Sequence, residues 1–113
     1  MKKNGNRFQV TPGKITRIAR RIVTKFHPDK VILFGSWARG DARPDSDVDF
    51  LVVMPVNGPK RPIRLAIYNA LHDIPVAAEV VVVTPGEFAD YADVVGTIVR
   101  PAVREGRVLY ARA

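Results

Sequence analysis

The chain has 113 residues, 47% of them hydrophobic and 26% charged, with a formal net charge of +7 and no cysteine. That length holds one domain around one modest core, and the missing cysteines exclude disulfides and thiolate-bound zinc. No apolar run approaches the ~20 residues that cross a bilayer, and polar residues follow Met1-Lys2-Lys3 where a signal peptide would be apolar, so a cytoplasmic protein is expected.

Residues 1–10 carry no periodicity and read as a flexible arm, with a single domain expected over residues 11–113. Nine of the eighteen basic residues fall in the first thirty positions, where Asp29 is the only acid. Thr11-Pro12 has the form of an N-cap followed by proline in the first helical turn. Ile15, Ile18, Ala19, Ile22, Val23 and Phe26 then recur at helical spacing, with Lys14, Arg17, Arg21 and Lys25 on the opposite face. His27-Pro28 ends that helix, because a residue before proline avoids helical geometry. The basic face is either a solvated helix surface or a surface that attracts nucleic acid or an acidic partner.

Val31 to Phe34 reads as a buried strand broken by Gly35-Ser36, and a polar stretch leads to a second strand over Asp47 to Val53. Asn57-Gly58 marks a turn. Ile63, Ala66, Ile67, Ala70 and Leu71 outline a second amphipathic helix with Pro62 near its start, and Ala77 to Val83 a third strand. Thr84-Pro85-Gly86-Glu87 has capping-box spacing and opens a helical region reaching Glu105, with a break expected near Gly96 or Pro101. A short final strand over Val108 to Tyr110 follows Gly106. The sum is an α/β fold, a small mixed sheet of three to four strands with helices packed on it.

The chemistry concentrates between Gly35 and Phe50. Side chains alternate along a strand, so Asp47 and Asp49 project to one side while Val48, Phe50 and Val52 enter the core. Two close carboxylates repel unless a cation sits between them, and oxygen-only ligands suit magnesium. Glycine at a strand end lets the backbone approach a ligand, and the exposed amides and Ser36 hydroxyl can cradle phosphate oxygens. Glu79 stands alone in an apolar strand, a costly place unless it is paired or near a metal. If that strand neighbours the second one, Glu79 completes a three-carboxylate set and can serve as general base.

Gly35-Ser36, ten intervening residues, then Asp47-Val48-Asp49-Phe50 resembles the signature of the DNA polymerase β-like nucleotidyltransferase superfamily. The strings Gly35-Ser36-Trp37-Ala38-Arg39-Gly40 and Ser46-Asp47-Val48-Asp49 are similar to its minimal members, as is Arg104 to Tyr110. The resemblance spans roughly residues 14–110. It implies that Gly35 and Ser36 hold the triphosphate, that Asp47 and Asp49 bind two magnesium ions, and that Glu79 occupies the place of a third acid, which is often aspartate in the family. It also implies a helical HEPN-type partner and transfer of AMP from ATP to that partner, with tyrosine the favoured acceptor.

Other readings stand beside these. Transfer to RNA or to a small-molecule hydroxyl is open, as are self-association and a non-catalytic antitoxin that acts by binding. Ser46 either contacts phosphate or caps the turn before the strand, and Arg39 either contacts the triphosphate or pairs at the surface. Arg43 reads more readily as structural, and Trp37 as a packing residue. Glu79 also fits an edge-strand charge that discourages aggregation.

Overall fold

A computed structural model describes residues 9–112. The arm expected over residues 1–10 therefore lies largely outside the described residues, and Val10 is buried in the core. In chain order the elements are α1 (Pro12–Phe26), β1 (Lys30–Phe34), α2 (Ser36–Arg39), β2 (Val48–Val53) and α3 (Arg61–Ala70), followed by β3 (Ala78–Val83), α4 (Pro85–Tyr91), α5 (Val99–Glu105) and β4 (Arg107–Ala111). The strands form one sheet in the order β3-β2-β1-β4, with β2 and β3 parallel and the other pairs antiparallel. The mixed four-stranded sheet with packed helices agrees with the sequence reading.

Local chemistry sets most of the boundaries. Thr11 caps α1 by accepting the Lys14 N–H at 3.1 Å, and Pro12 sits in the first turn. His27 closes the helix in the left-handed region at φ 51°, donating its N–H to the Val23 carbonyl at 3.0 Å. At α4 the capping box is complete: the Thr84 hydroxyl accepts from Glu87 N and the Glu87 carboxylate accepts from Thr84 N.

The sheet is buried on both faces, which is why β1 and β2 read as continuous apolar runs. Val31, Leu33, Val48, Phe50, Val52, Val80 and Val82 pack under α1 and α3 with Ile18, Ile22 and Ile67. Ile32, Phe34, Leu51, Val53 and Val83 pack on the other face against Val99 and Ala102 of α5. By the same alternation Asp49 and Glu79 belong to this second face, near the starts of β2 and β3, Asp49 half-buried and Glu79 exposed.

Several expectations change. The polar stretch after Gly35 begins with a single helical turn, α2, too short to show periodicity. β2 begins at Val48, so Asp47 lies just outside the ladder. In α3 Ala66 is exposed, and Tyr68 instead faces inward, its hydroxyl accepting the Val80 N–H at 2.8 Å. That bond satisfies a donor of edge strand β3. Of the two candidate breaks in the C-terminal helical region, Gly96 lies in the interruption at φ 93°, whereas Pro101 is accommodated in the first turn of α5.

Candidate active site

Register brings the candidate residues to one end of the sheet. Phe34, the last residue of β1, pairs with Asp49 of β2, and Asp49 in turn pairs with Glu79 of β3. Gly35 follows Phe34, so the turn leaving β1 comes up against the first residues of β2. Gly35 has φ 76° and ψ −157°, a conformation that glycine adopts without a Cβ penalty. The Asp49 carboxylate fills the space where a Cβ would stand: one built on Gly35 would overlap Asp49 Oδ2. Glycine is therefore required here for close approach of an acid of the site, a reason the sequence did not disclose.

Asp49 is half-buried and its pKa is raised, first by desolvation, then by the charges of Glu79 and Asp47, with Arg39 partly offsetting them. The three acids thus share one electrostatic environment. Asp47 and Glu79 are exposed. Among the described residues no group of three or more histidine, cysteine, aspartate or glutamate side chains is gathered closely enough to hold a metal ion. Register thus makes Glu79 the neighbour of Asp49, but the three-carboxylate cluster is not assembled in this structure. The donor set fits magnesium in its chemistry, being all carboxylate oxygen beside mutually repelling charges.

Ser36 opens α2, whose first N–H groups lack intrahelical partners as at any helix start. Gly40 ends the turn at φ 87°, donating to Ser36 O at 3.0 Å. Trp37 packs against the core on the α1 side of the sheet, and its indole Nε1 donates to the Ser46 carbonyl at 2.9 Å. Ser46 caps the turn: its hydroxyl accepts from Arg43 N and its own N–H donates to Arg43 O, both at 2.9 Å. Arg39 pairs with Asp41 at 3.2 Å and with Glu105 of α5 at 3.6 Å, so α2 and α5 are bridged beside the acids. Of the residues named from sequence, Asp49 and Glu79 pair in the sheet and Gly35, one residue past β1, packs on Asp49, with Asp47 one residue before β2 and Ser36 two past β1. Arg39 and Ser46 flank them, each engaged with protein groups. The indole bond and the Arg39–Glu105 bridge escape sequence reading, because both join residues with no shared periodicity.

Fold and site together define the class: a small α/β domain with acids at one end of a mixed sheet, against a glycine–serine turn. The chain belongs to the nucleotidyltransferase domain family, whose match covers residues 15–104. Among solved structures it resembles a protein of Sulfolobus solfataricus described as a nucleotidyltransferase, with 22% identity and a TM-score of 0.60 over 88% of this chain and 79% of that one. It also resembles a structure described as a toxin–antitoxin with AMP-PNP, with 19% identity and a TM-score of 0.50 over 91% of this chain and 75% of that one. At these identities the likeness establishes the fold. A comparison with curated proteins finds no significant match. Among the described residues no helix is long and apolar enough to cross a membrane.

Proposed function

We propose that this nucleotidyltransferase transfers AMP from ATP to a hydroxyl group, most favourably a tyrosine of a small helical HEPN-type partner, and releases pyrophosphate. The observation that carries the reading is the close packing of Asp49 on Gly35, with Glu79 in register beside it. Ser36 and the free amides of the turn receive triphosphate oxygens. Glu79, exposed at the edge of the sheet, takes the proton of the acceptor hydroxyl. The acceptor oxygen then bonds to the α-phosphorus as the bond to the bridging oxygen breaks, and pyrophosphate leaves. Asp47 and Asp49 would hold magnesium, two ions by family resemblance, which supplies charge neutralisation for the attacking and leaving oxygens. The raised pKa of Asp49, set by burial and by the neighbouring acids, supports a site whose charge a cation would offset.

The fold neighbour solved as a toxin–antitoxin with AMP-PNP supports an adenine nucleotide and a protein partner. A band of exposed apolar side chains, Tyr91 at the end of α4 with Val94, Val95 and Ile98 between α4 and α5, further supports a protein partner. A second reading, RNA as acceptor, is favoured by α1: Arg17, Arg20 and Lys25 are exposed and have no ion pair among the described residues.

The test incubates the protein with ATP, magnesium and either the helical partner or RNA with a free terminal hydroxyl, then weighs all species by mass spectrometry. AMP added to the partner, and absent with Asp47→Asn, supports the first reading. Nucleotides added only to RNA select the second. A partner that binds and remains unmodified while RNA is also unmodified indicates an antitoxin that acts by binding alone.

A further inference from the structure

Asp47 is presented by a loop. β2 begins at Val48, whose N–H reaches Ala77 O at 3.0 Å, and Asp47 precedes it without a ladder partner. On the other side of Asp47 lies Ser46, held at three points: its N–H on Arg43 O, its hydroxyl on Arg43 N, and its carbonyl on the Trp37 indole. The first two bonds lie within a local turn and by themselves fix nothing outside it. Only the third ties it to another element. That element is α2, which starts at Ser36, so one side chain spans the glycine–serine turn and the residue preceding Asp47. Trp37 is half-buried and packs against the core, which limits the indole's freedom to follow a moving loop.

From this geometry we infer that Trp37 is a positioning residue for Asp47, setting the carboxylate's place relative to the Gly35–Ser36 turn through the Ser46 carbonyl. The inference rests on the reading of Asp47 as a metal ligand. Outer groups that orient a ligand are commonly worth about 10–100-fold in metal affinity when removed. Trp37 acts through a backbone carbonyl and not on the ligand itself, so the lower end, about tenfold, is expected.

Trp37 is the sole tryptophan of the chain, which allows its replacement throughout the protein by benzothienylalanine. That analogue keeps the size and aromatic packing of the indole and lacks the N–H donor. Manganese binding is titrated by calorimetry without nucleotide, in the native protein, the analogue protein and Trp37→Phe, each with and without Asp47→Asn. Loss of the donor should weaken manganese binding by about tenfold when Asp47 is present and leave it unchanged in the Asp47→Asn background. Backbone amide exchange at Ser46 to Val48 should quicken in the analogue protein, with exchange in β1 unaltered. Equal manganese affinity with and without the donor overturns the inference while leaving the metal site standing. An equal loss in both backgrounds also overturns it, since Trp37 would then act elsewhere. Absence of manganese binding in the native protein sinks the metal reading and this inference together.

Discussion

The raised pKa of Asp49 has a consequence for stability. The folded state binds its proton more tightly than the unfolded chain does, so the ionised form destabilises the fold above the ordinary aspartate pKa of about 4. In the absence of divalent metal, Asp49→Asn should raise the thermal midpoint at neutral pH by a few degrees. The difference should close below about pH 4, where both folded and unfolded wild-type chains carry the proton. Magnesium with ATP should stabilise the wild type and not the variant. Circular dichroism melts across pH check all three outcomes; a lower midpoint for Asp49→Asn at neutral pH would mean that the protein already compensates this charge. The identity of this acid was legible in the motif. Its contact with Gly35 was not, since nothing in a linear string shows which side chain will occupy the space a glycine leaves.

At the scale of the element, α1 divides its cations between two tasks. Arg21 bonds the Ala70 carbonyl at 2.8 Å and the Asp73 carboxylate at 2.7 and 3.2 Å, clamping α1 to the end of α3. The guanidinium holds Asp73 down to about 2. Lys14 reaches the Pro75 carbonyl at 2.9 Å, just before β3. Sequence pattern placed both residues on the polar face and could not separate these structural cations from Arg17 and Lys25, to which the structure adds the exposed Arg20. If RNA is the acceptor, these three contact its phosphates. Replacing all three by glutamine should then reduce the slope of log affinity against log salt by about 2 for a single-stranded RNA oligomer, at roughly 0.7 per phosphate contact. Fluorescence anisotropy over a salt series reads the slope. An unchanged slope would return the stripe to a solvated helix face.

Over the whole molecule, the two faces of the sheet are finished differently. α1 and α3 cover one face with an amphipathic layer, whereas α4, α5 and the segment between them leave Val94, Val95 and Ile98 exposed, Val95 by 79%. Monomeric surfaces seldom carry such a run without a partner. If the partner proposed above, or a second copy, docks on this run, Val95→Asp should abolish that association as measured by sedimentation. Because Val95 makes little contact with its own fold, the isolated chain should lose no more than about 0.5 kcal/mol of stability. Retained association in Val95→Asp would move the interface elsewhere.

Apart from the single turn α2, periodicity and caps determined the helices and strands from the sequence alone, because Thr11-Pro12, Thr84 to Glu87 and the alternation around Asp49 act through neighbours within one or two turns of chain. The pairing of types that suggests chemistry, glycine and serine followed by two spaced aspartates, was equally local. The sheet order was decided by tertiary structure: only the parallel docking of β3 on β2 brings Glu79 beside Asp49, across twenty-nine intervening positions of which the pattern carries no trace. The same holds for the indole bond from Trp37 to Ser46 and for the bridge from Arg39 to Glu105. Such contacts depend on how packed elements meet in space, and a hydrogen bond or ion pair leaves no period in the chain that makes it.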